Sequence, residues 1–367
     1  MTRRIRWALA GCAAAAGAAV IAAGQGGAQA PGVTVVADNL NNPRGVTMAP
    51  DGAVYVVEGG NAGPTCFGEG DEESCFGFSG SVTRVSGGVA TRVVRGLFSG
   101  GGRDGSFAGG GNGVSVTANG TIYIIMGGFG CGPLPPQAPA RARLQLGRLL
   151  KAGPAGRLSR VANMKPLECR ANPDGTDRNP NPYGVLALGN GHVVVADAGG
   201  NTLIDVQGRR AKLLTVLRGV GGRDSVPTSL ALGPDGAIYV GELVGSGKKG
   251  GARVLRVVPG SKPTVFRTGF TNITGVAFGP DGSLYVTQYA NAAGESQNPA
   301  GSVIKVSPDG ATRTVLGRGS LFFPQGAAVD ATGAVYVSNW SILPGKAAPA
   351  GPFKGKNGQL VRIAPAA

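Results

Sequence analysis

From residue 45 onward the chain alternates short apolar runs with a tripeptide that ends in glycine. Gly45-Val46-Thr47-Met48-Ala49 leads into Pro50-Asp51-Gly52, and Ala53-Val54-Tyr55-Val56-Val57 leads out; Gly275-Val276-Ala277-Phe278 and Ser283-Leu284-Tyr285-Val286 flank Pro280-Asp281-Gly282 in the same way. Runs this short, bounded by turn residues, read as strands, and each pair reads as a hairpin. The tripeptide suits a type I turn closed by a glycine at positive φ, the connection that twisted antiparallel strands require. The same unit recurs at Ala118-Asn119-Gly120, Gly189-Asn190-Gly191, Pro234-Asp235-Gly236 and Ala331-Thr332-Gly333. Six copies at this period mark a repeat fold.

A third run follows each hairpin, with apolar and polar residues alternating, as in Ser81-Val82-Thr83-Arg84-Val85 or Gln359-Leu360-Val361-Arg362-Ile363. A fourth, such as Pro263-Thr264-Val265-Phe266-Arg267, completes four strands, the content of one propeller blade. The expected fold is therefore all-β: a six-bladed β-propeller of four-stranded antiparallel blades. The sixth unit stops after its third strand at Ile363, whereas Val33-Thr34-Val35-Val36 stands alone near the other end. These halves predict a blade closed by N-terminal strand pairing with the C-terminal blade, which leaves no open sheet edge. One propeller domain is expected over residues 31–367.

The first thirty residues differ in kind. Arg3, Arg4 and Arg6 precede an apolar Ala/Gly/Val/Ile stretch and then small residues, the pattern of a signal peptide, 1–30. Thr2-Arg3-Arg4 is a fragment of a twin-arginine signal and Leu9-Ala10-Gly11-Cys12 partly matches a lipidation box; ordinary secretion is the favoured reading. The expected location is thus secreted, extracellular or held at the cell envelope. No apolar span of membrane length follows, so no transmembrane segment is expected in the mature chain. Loss of Cys12 with the signal leaves Cys66, Cys75, Cys131 and Cys169, an even set bound for an oxidising compartment. Three pairings exist; Cys66 with Cys75 closes a short loop and leaves Cys131 for Cys169.

Charge adds partners to this picture. The formal net charge is +15, with 35 basic and 20 acidic residues. An exported chain without aromatic stacking motifs excludes nucleic acid, and the basic surface points instead to an anionic cell-envelope component or an unknown small molecule. The commoner outcome of such a charge excess is a solvated, soluble face.

Asn42-Pro43-Arg44-Gly45, Tyr55-Val56-Val57-Glu58, the cysteine pair after it, Asn181-Pro182-Tyr183-Gly184, Ala196-Asp197-Ala198-Gly199-Gly200-Asn201 and Thr268-Gly269-Phe270-Thr271-Asn272-Ile273 together resemble the ScyD/ScyE family of exported propellers. The resemblance spans nearly all of residues 31–367. It implies a TolB-like or NHL-like six-bladed propeller and little about chemistry.

The ends of the second strands are expected to ring one mouth of the central channel and are the candidate place for chemistry. Those positions are Glu58, Met126, Asp197, Glu242, Gln288 and Asn339, with Arg44 nearby. Three carboxylates and two amides are oxygen donors of the kind calcium prefers. The competing reading is that the carboxylates are satisfied locally by backbone amides. His192, the only histidine, follows a turn at the opposite end, so no Ser/His/Asp set can be assembled. The insertions 59–79, 127–145, 163–181 and 340–357 are expected on the mouth's face, carrying all four cysteines. Two functions follow: a binding or scaffold module acting through these loops, or a calcium-dependent lactonase or esterase-like hydrolase at the top of the channel, with a metal-polarised carbonyl and a ring carboxylate activating water.

Overall fold

The hairpin turns form as the tripeptides require. All six turn glycines take φ between 75° and 84°, and in four turns the Asp or Asn before glycine accepts the N–H two residues on, as Asp51 Oδ1 does that of Ala53 at 3.0 Å and Asp281 Oδ1 that of Ser283 at 2.9 Å. The computed structural model describes residues 32–70, 73–128, 130–243, 249–291 and 300–365. The expected signal peptide, and Asp71 and Glu72 of the acidic run 69–73, lie outside them.

Six antiparallel sheets result. Their inner strands, in chain order, are Pro43–Met48, Gly111–Val116, Pro182–Gly189, Pro227–Leu232, Ile273–Phe278 and Ala327–Val329. Each touches the next, and the last returns to the first, so the sheets stand as blades 1 to 6 around an axis. The second strands are Val54–Glu58, Ile122–Met126, His192–Asp197, Ile238–Glu242, Leu284–Gln288 and Val335–Asn339. Blade 6 is closed as expected: Val33–Leu40 pairs with Gly358–Ile363, aligning Val33 with Ile363 and Val35 with Val361. The third strand of blade 1, Ser74–Ser86, begins earlier than the sequence indicated, because Thr65–Phe67 folds back to pair with it and Cys75 joins the sheet.

The core lies between blades rather than inside any one. Side chains alternate faces along a strand, so neighbouring residues of a second strand enter different cores. Ile124 packs toward blade 1 with Val57 and Phe76, while Ile125 packs toward blade 3 with Val193 and Val195. Burial on both faces is why the second strands read as continuous apolar runs. Among the described residues no helix is long and apolar enough to cross a membrane.

At the turn end of the blades, aspartates meet basic residues of the third strands: Asp51 with Arg84, Asp235 with Arg256, Asp281 with Lys305. The Ala53 amide and the Arg84 guanidinium hold the Asp51 carboxyl below its ordinary range. Burial pushes Asp281 up, but the Ser283 amide and hydroxyl and the Lys305 ammonium outweigh it and hold this carboxyl low too. Depressed native values contribute stability above the unfolded value, near 4, which is lost as pH falls through the native one. Urea midpoints should therefore fall between about pH 4 and pH 2, and the combined Asp51→Asn and Asp281→Asn variant should flatten that fall. Leu360, fully buried beside the closing strand, should cost about 2–5 kcal/mol when cut to alanine, measured by urea unfolding.

Candidate functional site

Every inner strand is entered by the same three-residue step: Pro43-Arg44-Gly45, Gly111-Asn112-Gly113, Pro182-Tyr183-Gly184, Pro227-Thr228-Ser229, Ile273-Thr274-Gly275 and Pro324-Gln325-Gly326. The third residue is small because neighbouring backbones meet there. A Cβ on Gly45 would lie 2.8 Å from Gly113 Cα, and one on Gly326 would lie 2.3 Å from Val46 N. Two residues before the middle position, Asn42, Val226, Asn272 and Phe323 hold φ of 47–50°, a left-handed turn that is strained for valine and phenylalanine.

The middle residues form a ring at one end of the channel. Asn112 Nδ2 donates to the Pro182 carbonyl at 3.1 Å, Thr228 Oγ1 to that of Ile273 at 2.6 Å, and Thr274 Oγ1 to that of Pro324 at 3.0 Å, each reaching the next blade. The longer ones reach across. Tyr183 of blade 3 donates its hydroxyl to Gln325 Oε1 of blade 6 at 2.8 Å, and these blades stand opposite one another. Arg44 of blade 1 donates from Nη1 to the Tyr183 hydroxyl at 3.4 Å and from Nη2 to the Ala108 carbonyl at 3.0 Å. Side chains therefore fill the mouth. Arg44 is only 4% exposed, forms no ion pair among the described residues, and leaves its Nε–H without an acceptor. Beside it, burial pushes the Tyr289 hydroxyl well above its ordinary range.

The residues expected at the mouth stand one strand farther out, about 4.8 Å in sheet spacing, and each serves its own blade. Glu58 Oε2 accepts the Asn41 N–H at 2.7 Å and Arg92 Nη2 at 2.8 Å, while Oε1 takes Ser81, Thr83 and Arg92 Nε. Glu242 receives Ser225 and both Nε and Nη2 of Arg253, each at 2.6 Å. Gln288 Oε1 accepts the Thr271 N–H, and Asn339 Oδ1 that of Phe322, both at 2.7 Å. Asp197 Oδ1 accepts the N–H groups of Asn181, Gly199 and Gly200; burial pushes this carboxyl up to about 6 although those three amides pull it down. Met126 is buried in the core between blades 1 and 2. The recurring clasp runs from the end of the second strand to an amide or hydroxyl 16 or 17 residues earlier. Among the described residues no three Asp, Glu, His or Cys side chains converge on one cation position. His192 pairs with Asp205 at the turn end, as its position after a turn implied.

Of the expected site residues only Arg44 reaches the mouth; Tyr183, Gln325, Asn112, Thr228 and Thr274 were missed. Their signal was the residue before each inner-strand glycine or serine, visible in Asn-Pro-Arg-Gly and Asn-Pro-Tyr-Gly.

The insertions above this face are tied down. Disulfides join Cys66 to Cys75 and Cys131 to Cys169. The second links the blade 2 insertion to the connection between blades 2 and 3, closing a separation of 38 residues, a constraint of about 4 kcal/mol on the unfolded chain. Residues 340–357 are held by an aromatic cluster in which Trp340 stacks on Phe322 at 4.5 Å and meets Phe353 at 5.7 Å. Replacing Arg92 with methionine should leave the buried Glu58 without its countercharge and cost about 2–3 kcal/mol in urea unfolding. Adding Glu58→Gln to that variant should recover part of the loss.

No curated protein matches the chain. Among solved structures, a calcium-binding protein, regucalcin, from Agrobacterium tumefaciens is 14% identical, with 90% of this chain and 92% of that one covered and a TM-score of 0.54. A Bacteroides thetaiotaomicron protein of unknown function is 11% identical over 90% of this chain and 75% of its own, also at 0.54. A catalytically inactive virginiamycin B lyase from Staphylococcus aureus with quinupristin is 13% identical over 90% and 98%, at 0.50. At these identities the likeness is one of fold. The signature described as the SMP-30/gluconolactonase/LRE-like region matches residues 154–348, more than half of the sequence. The chain belongs to the SMP-30/gluconolactonase/LRE-like family of propellers.

Proposed function

We propose that this chain is an exported binding module whose channel mouth receives a small anion, a carboxylate-bearing metabolite or envelope fragment. The observation that carries this reading is Arg44: a buried guanidinium with no acidic partner among the described residues and with its Nε–H lacking an acceptor. A charge taken out of water without a partner is costly, and an incoming carboxylate supplies both the countercharge and an acceptor. Tyr183 and Gln325, which now bond to each other, offer a hydroxyl and an amide to orient the ligand once their mutual bond opens. The disulfides support export, with residues 1–30 as the signal and 31–367 as one domain; the sequence motifs support a ScyD/ScyE-like member within the broader family.

Family membership favours a second reading, lactone or ester hydrolysis assisted by calcium, the ion that the similar regucalcin structure's protein binds. Glu58 and Glu242 are each neutralised by an arginine, and the mouth ring carries a guanidinium and no carboxylate, so this donor set does not suit a shared divalent ion.

Calorimetric titration of the disulfide-intact chain with D-gluconate, D-galacturonate and citrate should find at least one binder, weakened about tenfold or more in Arg44→Met and by added salt. Failure of all these anions to bind, or equal binding by Arg44→Met, would overturn the reading. Hydrolysis of glucono-δ-lactone that vanishes on chelation and in Glu58→Gln, Asp197→Asn and Glu242→Gln would move the assignment to the hydrolase.

A further inference from the structure

Charge is not spread evenly over the blades. Between Asp104 and Glu168, the stretch that builds blade 2 and its insertion, the sequence has no Asp or Glu and seven basic residues, from Arg141 to Lys165. Blades 1, 4, 5 and 6 each set a base opposite a second-strand tyrosine, in the pairs Tyr55–Arg84, Tyr239–Arg256, Tyr285–Lys305 and Tyr336–Arg362. In each of them an aspartate at the turn end neutralises that base: Asp51, Asp235, Asp281 and Asp330. Blade 2 keeps the tyrosine and the base, Tyr123 opposite Lys151, but its turn carries Asn119. None of its seven basic side chains enters an ion pair among the described residues.

The backbone gathers these charges at the rim. The third and fourth strands of blade 2, Arg148–Ala152 and Leu158–Asn163, pair so that Asn163 stands opposite Arg148, Arg160 opposite Leu150 and Leu158 opposite Ala152. Arg148, Leu150, Leu158 and Arg160 therefore share one side of the blade. Arg148 Nε donates to the Arg143 carbonyl at 3.4 Å, which ties the short helical turn Ala140–Leu144 to the start of the third strand. The Lys165 stem lies against Gly147, its Cγ 2.5 Å from where a Cβ would stand. Burial and then the charge of Arg160 hold the Arg148 guanidinium below its ordinary range, and burial and then Arg148 do the same to Lys165. Cations packed together without a countercharge destabilise one another. Beside them an open groove is lined by Leu144, Leu150 and Leu158 together with Arg160 and Arg209, the last from blade 3. Leu144, at the end of the helical turn, is 43% exposed.

We propose that the rim of blade 2 docks the chain on an anionic lipid bilayer, with Arg143, Arg148, Arg160 and Lys165 meeting headgroup phosphates and Leu144 entering the interface beneath them. Charge complementarity selects an anionic partner, and the leucines select among anions. A phosphate or uronate polymer would meet the basic side chains and leave Leu144 and the leucine-lined groove in water, whereas a bilayer offers phosphates at one depth and hydrocarbon just below it. Long basic side chains suit that boundary, because their stems lie along apolar surface while their heads stay with the phosphates. Each basic residue held near such a surface strengthens binding about fivefold. The contact is peripheral and requires no segment to cross the membrane. It uses no residue of the mouth ring, so its success or failure is independent of the anion reading.

The test uses the disulfide-intact chain from Pro31 onward, which includes the closing strand at Val33 and omits the apolar stretch of residues 1–30 that would bind lipid by itself. It is sedimented with vesicles of equal parts phosphatidylglycerol and phosphatidylcholine, with pure phosphatidylcholine vesicles, and alone. The chain should pellet with the anionic vesicles only, and about 0.5 M NaCl should release it by screening. Arg143→Gln combined with Arg160→Gln, both exposed positions, should weaken binding about 25-fold, two charges at about fivefold each. Leu144→Ser, which removes no charge, should weaken it about tenfold. Leu144→Trp should shift its emission to the blue with anionic vesicles and not with neutral ones. Arg44→Met, and Lys262→Gln on blade 4, should bind as the parent does. The proposal is overturned if the chain stays in solution with anionic vesicles, binds neutral ones equally, or pellets alone, which would mark self-association. It is equally overturned if the Arg143/Arg160 variant keeps the parent's affinity. Soluble polyphosphate that binds the parent and Leu144→Ser alike, with vesicle binding also unchanged in Leu144→Ser, would assign the rim to a polyanion instead.

Discussion

The close approach of neighbouring inner strands governs this molecule. Six strands can stand around a narrow axis only if backbones meet where blades converge, and Gly45, Gly113, Gly184, Gly275 and Gly326, with Ser229, make that meeting feasible. Gly45 touches the Asn112–Gly113 backbone, and Gly326 touches Gly45 and Val46 in turn. Once the third residue of the entry step is fixed as small, the residue before it has nowhere to go but the mouth. Its side chain is then close enough to bond to the next blade or to cross the channel, as Tyr183 does to Gln325. The strained left-handed entries at Val226 and Phe323 follow from the same geometry, since each must turn the chain from an outer strand into the axis within a few residues.

A second layer of order depends on that first one. In four blades the connection that delivers the entry step ends in an amide that the final residue of the second strand accepts, 16 or 17 residues along the chain; blade 4 uses the Ser225 hydroxyl instead, and blade 2 has Met126 there. Such a position wants a short oxygen-bearing side chain, and Glu, Asp, Gln and Asn all serve. Where the residue is glutamate the charge needs its own partner, met by Arg92 in blade 1 and Arg253 in blade 4. Asp197 is the exception: it has amides but no cation, and its shifted titration records that difference.

The fold was legible because its determinants are local. Turn tripeptides and short apolar runs sufficed to count blades, a lone strand near one end and a three-stranded unit at the other paired the termini, and the short Cys66–Cys75 loop favoured one of three cysteine pairings. The site was less so, because two features share one sequence appearance. A polar residue at the end of an apolar strand is written the same way whether it faces a channel or clasps its own blade, and only the strand's distance from the axis separates the two. Tyr183 and Gln325 were marked only by position, before an inner-strand glycine, and nothing in an aromatic or a glutamine at that place announces that it spans the ring.

Tyr183 joins two parts of the molecule. Residues 163–181 lead directly into Pro182 and Tyr183, which receive Asn112 and Arg44. Asp197 holds the Asn181 amide one residue before that step. The clasp at Asp197 therefore fixes the connection from which Tyr183 enters the mouth, while whatever meets Arg44 acts on the hydroxyl of that same tyrosine. Coupling between two such places is reciprocal, so loosening the clasp costs the mouth's ligand what an occupied mouth returns to the clasp.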